Sequence, residues 1–253
     1  MIALKRMWSG ARAWYSVPLM LLLWQCVALS GLISARVLPP LGAVFAAFVN
    51  DVISGNLPYH VLVTTGRTFA GFVIGSVAGV LVGFGLARVR WFEYLFEPVF
   101  FAGYPVPKIA LFPIFTFLFG IGTPSKIAFA ALECLYPVVV ATHLASRATG
   151  REIVWAGQNM GMTRGTLLRH VLIPAALPGI LNGLRIALPI GMTVVIVTEM
   201  IGDTHGLGFY IANSGATFRY DKLYAGMLAI GLVGLVLDRA LVFISRRLSH
   251  GMR

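Results

Sequence analysis

Apolar residues in this chain gather into long runs rather than the short amphipathic repeats of a soluble fold. Six runs approach the ~20 residues needed to cross a bilayer core as a helix: 17–35, 61–87, 94–120, 126–146, 177–201 and 222–245. Between the first two, residues 36–60 hold Pro39-Pro40, then Val44, Phe45, Phe48, Val49 and Val52 at helical spacing. That spacing predicts a short helix, lying at the membrane interface or packed as a cap. The pattern predicts an all-α polytopic membrane protein with six transmembrane helices. Lys5, Arg6 and Arg12 precede the first run, so a signal peptide competes there with a retained helix. The longer run and the five spans behind it favour the helix.

Composition agrees: 58% of the 253 residues are apolar and 11% charged, against about 45–50% and about 25% in soluble domains. This excludes an ordinary soluble enzyme, a disordered segment and a nucleic-acid binder. The net charge of +11 reads as orientation. With the N-terminus inside, twelve basic residues fall on inner segments (Lys5, Arg6, Arg12, Arg88, Arg90, Arg147, Arg151, Arg164, Arg169, Arg246, Arg247 and Arg253). The outer segments carry Arg36, Arg219 and Lys222, with Lys108 and Lys126 at the margin. Both termini are therefore expected in the cytoplasm. Cys26 and Cys134 both lie inside apolar runs, which excludes a disulfide framework.

Within the spans, Gly71, Gly75, Gly79 and Gly83 recur every fourth residue. That spacing suits close helix packing, with a conduit-shaping role as the alternative. The third run holds Pro98, Pro105, Pro107 and Pro113, which must bend or break a helix. Such a bend is either local adjustment or part of a gate. Arg67, Glu133, Arg185, Glu199, Asp238 and Arg239 are ionisable groups inside or near the spans, and each admits a structural and a pathway reading. Arg67, Pro105, Pro107, Glu133, Glu199, Gly206 and Gly208 are the candidate pathway or gate positions. His60, His143, His170, His205 and His250 lack metal-site spacing. There is no nucleophile elbow, carboxylate pair or phosphate loop, so no catalytic, cofactor or metal residue is expected in this chain.

The longest inner loop, 147–176, reads as two short helices. Residues 152–160 form the first, stopped by Gly161; Thr163 caps the second. Leu167, Leu168, Val171 and Leu172 share one face of the second helix, and Thr166, Arg169 and His170 the other. Pro174 and Pro178 are expected to turn the chain into the fifth span. The knob so formed is either a packing element or a docking piece for a soluble partner.

The loop resembles the EAA motif of bacterial ABC-importer permeases: Glu-Ala-Ala, three residues, Gly, nine residues, Ile-x-Leu-Pro. Trp155-Ala156-Gly157, Gly161, Val171, Ile173 and Pro174 keep every spacing. Trp155 replaces the motif's acid and Gly157 its second alanine. Glu152, one turn earlier, offers a substitute charge, and Gly157 weakens the helix by about 1 kcal/mol. Further stretches are similar to the sulfonate/taurine/nitrate branch: 104–113, 119–127, 175–187, 199–202 and 206–209.

The resemblance implies the type I ABC-importer permease fold with a MetI-like core. Residues 1–60 would form a tail, first helix and outer connection; 61–248 a five-helix core with the coupling loop 147–176; and 249–253 a cytoplasmic tail. It implies a bacterial inner-membrane location and a second copy of the chain. The partners implied are a cytoplasmic ATPase dimer, which holds ATP and magnesium, and a periplasmic solute-binding protein. Docking would fall to Glu152, Trp155, Ala156, Gly157, Gly161, Met162 and Thr163, with Val171, Ile173 and Pro174 holding the knob to the membrane domain. The Gly202–Asp221 segment would be outer gate and binding-protein contact. The solute would be a sulfonate, taurine, nitrate or related small molecule, with a vitamin or pyrimidine precursor as alternative. A stand-alone secondary transporter or channel is the competing class.

Overall fold

The computed structural model describes residues 15–103 and 106–250, without the side chains of Phe101, Arg151, Arg164 and 248–250. Lys5, Arg6, Arg12, Pro105 and Arg253 lie outside the described residues. Every regular element within them is helical.

Four of the apolar runs are helices long enough to span a bilayer, with mean hydropathy between 1.7 and 2.2. They are α3 (Asn56–Arg88), α6 (Thr123–Ala148), α9 (Ile173–Met200) and α11 (Tyr220–His250). The other two runs are built from shorter pieces. α1 (Ser16–Leu29) has 14 residues, about 21 Å at 1.5 Å per residue. It ends at Ser30, before a left-handed Gly31. The 94–120 run splits into α4 (Arg90–Gly103), a 3-10 turn over Lys108–Leu111, and α5 (Phe112–Phe119). Pro107 precedes that turn and has no backbone donor with which to continue a helix. Pro98 lies inside α4 and Pro113 in the first turn of α5.

Pro174 and Pro178 do not turn the chain as the sequence predicts. A short helix, α8 (Arg164–Leu167), runs through a π turn over Leu168–Leu172 directly into α9. The Ile173 amide donates to Leu168 O, five residues back. This wider turn immediately precedes Pro174, whose missing amide an α-helical ladder would need.

The core sits around α6, where Phe129, Ala130, Cys134, Val138 and Thr142 have no exposed surface. α3 approaches from one side through its glycine row. A Cβ at Gly71 would stand 2.6 Å from that of Ala130, at Gly79 2.8 Å from Val138, and at Gly83 2.6 Å from Thr142. α9 approaches from the other side through Gly183 and Gly191, where an added Cβ would come within 2.5 Å of Ala141 and the Cys134 sulfur. With no hydrophobic effect to drive helices together in lipid, such close approach supplies the packing contacts.

α2 (Leu41–Ile53) buries Val44, Ala47 and Asp51. α1 is fastened to its start by Trp24 Nε1 donating to Pro39 O (3.0 Å) and Leu41 N donating to Gln25 Oε1 (2.9 Å). The last short helices are α7 (Arg151–Asn159) and α10 (Leu207–Ala216). α7 and α8 form a knob at one end of the bundle. The 201–206 loop and α10 cap the other.

Candidate functional site

The capped end is built on two pairs of opposite charges. Arg67 of α3 donates to Glu199 of α9 (2.9 Å) and to Asp203 of the loop (2.7 Å), and Lys126 of α6 stands 3.0 Å from Asp203. None of the four side chains is more than 7% exposed. The Arg67 guanidinium also donates to Thr123 Oγ1 (2.9 and 3.1 Å) and to the His205 carbonyl (3.3 Å). Two cations and two anions balance, so charges too costly to bury singly are held together.

Glu199 also helps start α10, together with His60 and Thr64 of α3. A helix leaves its first amides without internal partners. Here Gly206 N donates to His60 Nδ1 (3.0 Å), Leu207 N to Thr64 Oγ1 (2.7 Å) and Gly208 N to Glu199 Oε2 (3.1 Å). The Glu199 carboxylate thus lies at a positive helix end. Gly206 has φ +102°, and a Cβ there would strike the Glu199 carboxylate. A Cβ at Gly208 would run into Ile196 O.

A second anchor holds α10 from the far side. Asp51 of α2 accepts from Lys222 Nζ (2.7 and 2.9 Å) and from the Tyr210 hydroxyl (2.6 Å). Burial works to raise the Asp51 pKa, but Lys222 and Tyr210 outweigh it and hold the carboxyl below its usual 3.8. Asp203 behaves likewise, burial being outweighed by Lys126, the Thr204 amide and Arg67. Burial and then the Asp51 carboxylate push the Tyr210 phenol up.

A carboxylate depressed in the fold stabilises it above its unfolded pKa and loses that effect as pH falls through the folded value. Protonation of Asp51 and Asp203 should therefore loosen the anchors of α10, and hydrogen-exchange protection of 207–216 should fall further as pH drops below 3.8. Protection that does not change between about pH 4 and about pH 2 would show that neither carboxylate holds α10.

At the opposite end, α7 meets α8 through Gly157, where a Cβ would stand 2.5 Å from Leu167 Cδ1. Gly161 takes φ +79° with open space around it. Thr163 Oγ1 accepts from the Thr166 amide (3.3 Å). Glu152, Ala156 and Thr163 are exposed, Met162 is half-buried, and Ile153, Trp155 and Met160 are 51%, 59% and 79% exposed. Val171 and Pro174 are half-buried and Ile173 is 38% exposed, beside a buried Leu172.

Behind the knob, Arg88 holds Ser146 O (2.6 Å) and Oγ (3.1 Å), and Arg147 pairs with Glu93 (3.0 Å). Arg88, Glu93 and Arg147 line a polar cavity of about 660 Å³. Between the two ends, Glu133 faces Lys108 at 3.9 Å, beside the helix break, and Pro107 is exposed.

The structure thus brings Arg67, Glu199, Gly206 and Gly208 together, while Glu133 and Pro107 lie apart from them. Sequence reasoning did not single out His60, Thr64, Lys126 or Asp203 as members of this site. Arg67 and Glu199 are 132 positions apart, and no local spacing links them.

Residues 71–252 match the family described as "Binding-protein-dependent transport system inner membrane component". The chain is 29% identical over 243 residues to the taurine transport system permease protein TauC of Escherichia coli K12, covering 93% of this chain and 88% of that protein. It is 31% identical over 231 residues to the riboflavin transport system permease protein RibX of Chloroflexus aurantiacus, covering 91% and 86%. In fold it is similar to a chain of the inward-facing MetNI methionine ABC transporter, with TM-score 0.69, 20% identity, and 78% and 98% of the two chains covered.

Proposed function

The chain belongs to the family of binding-protein-dependent transport system inner membrane components, and on that premise we propose that it forms the solute pathway of an ATP-driven sulfonate importer. Two copies would face each other, and two ATPase subunits, holding ATP and magnesium, would dock on the knobs. A periplasmic binding protein would deliver solute to the capped end. The knob carries the docking part of this reading: Ile153, Trp155 and Met160 present apolar surface at the aqueous end of the bundle, the kind of patch a partner covers.

Arg88, Arg90, Arg147, Arg151, Arg164, Arg169, Arg246 and Arg247 all lie toward the knob end. Under the positive-inside rule this distribution supports a cytoplasmic knob with both termini on the same side. ATP-driven approach of the ATPases would move the knobs and switch the bundles between two rigid arrangements. The rigidly held α10 would then move with its bundle, as part of the outer gate.

For the solute, similarity to the taurine permease across 93% of the chain supports a small sulfonate. Similarity to the riboflavin permease supports a vitamin as the second reading. Uptake of labelled taurine and labelled riboflavin by cells expressing the complete transporter decides between them: taurine accumulation is expected, and riboflavin alone would overturn the sulfonate reading.

Gly161→Val tests the knob. The left-handed backbone disfavours a side chain there by about 1–2 kcal/mol, and the turn between α7 and α8 should reset to relieve it. The complex should still assemble and hydrolyse ATP, with uptake lower by about tenfold or more. Unchanged uptake would remove the knob from coupling.

A further inference from the structure

Arg185 sits near the middle of α9, about 18 Å from the Ile173 end and about 22 Å from the Met200 end at 1.5 Å per residue. Asp238 of α11 meets it side-on, with Nε to Oδ1 at 3.1 Å and Nη2 to Oδ2 at 3.4 Å. Charges at such depth are costly and face a protein interior or a water-filled cavity. Arg67, Lys126 and Glu199 follow the first pattern, with side chains 6% exposed or less. Arg185 and Asp238 do not: their side chains are 57% and 40% exposed.

They open onto a groove of about 400 Å³ between α9 and α11, which Thr193 also lines. Gly231 forms part of its wall, and a Cβ there would touch nothing within 4 Å. A second cavity of about 170 Å³ shares Arg185 and adds Asn182, Ser245 and Arg246 toward the knob end. Arg185 therefore stands at the junction of two cavities along one helix interface.

We propose that the Arg185–Asp238 pair is a transit site for a small zwitterionic solute carrying a sulfonate and an amine. The pair opens, the guanidinium takes the sulfonate oxygens, and the carboxylate takes the ammonium. Each protein charge exchanges one opposite charge for another, so neither is left bare within the membrane. A lone cation would suit a simple anion; adjacent opposite charges suit a zwitterion. The proposal rests on the sulfonate reading above.

The test is uptake by vesicles holding the complete transporter, with taurine as zwitterion and ethanesulfonate as its amine-free analogue. Asp238→Asn should cut taurine uptake about tenfold relative to ethanesulfonate without moving the unfolding midpoint. If only taurine is carried, the same loss of taurine uptake at an unchanged midpoint is required. Gly231→Phe, pointing into open groove, should lower uptake of whatever is carried. Equal loss of both solutes on Asp238→Asn, no loss, or normal uptake by Gly231→Phe would overturn the transit site alone. If the unsubstituted transporter carries neither solute, the sulfonate reading falls and the transit site with it.

Discussion

Replacing Arg67 with Met is expected to destabilise the fold by about 3–5 kcal/mol, the usual cost of removing one partner from a buried ion pair. The Met side chain fills similar space but leaves Glu199, which has no exposed surface, without its cation. It also leaves Asp203 paired only with Lys126. Because Glu199 receives the Gly208 amide, the damage should pass directly into α10. Unfolding in detergent should shift down on the order of 10 °C, with early loss of exchange protection over 207–216. Arg67→Lys, which keeps the charge but not the forked geometry, should recover part of the loss. The double variant Arg67→Met/Glu199→Met should lose less than the sum of the single variants, since neither charge is stranded. Additive effects, or an Arg67→Met midpoint equal to the parent's, would show that the charges do not act as a unit.

Gly75→Leu is expected to separate α3 from α6 at a cost of about 3 kcal/mol or more, the upper part of the range for overfilling a packed interior. A Cβ at Gly75 would run into Ala131 O, with Cys134 Cβ at 2.9 Å. These are backbone and near-backbone atoms, which cannot swing aside. Gly66, on the same helix, has nothing within 4 Å of an added Cβ and gives a matched control. Gly66→Leu should fold and reach the membrane in nearly normal amount, whereas Gly75→Leu should be degraded or unfold at a much lower midpoint. Equal behaviour of the two variants would refute the close contact between α3 and α6.

The glycine row of α3 was visible because its spacing and the helix share one period. The matching glycines of α9 were not, because Ala187 breaks the row of Gly179, Gly183 and Gly191, and Pro178 and Pro189 sit beside it. The knob was legible for a local reason: a helix that stops at a left-handed glycine and restarts from a threonine cap announces itself within a dozen residues. The break of the 94–120 run was legible only as a choice between bending and breaking. Proline chemistry demands disruption without saying how the freed groups are covered.

The capping site was the least legible part. His60, Thr64, Lys126 and Asp203 carry no shared motif, and their partnership exists only after three long helices have packed. Arg185 and Asp238 were each read as intramembrane charges, but their pairing and half-exposure depend on how α9 and α11 lie together.

That ATP-driven motion, received by the knob, moves solute through this chain is tested most directly by energised uptake. Vesicles would contain this chain alone, this chain with its ATPase, or both with the solute-binding protein outside, and labelled taurine accumulation would be followed with and without ATP. Accumulation that requires all three components and ATP is the predicted result. Accumulation by vesicles holding this chain alone, driven by an ion gradient, would contradict it and identify a stand-alone secondary transporter.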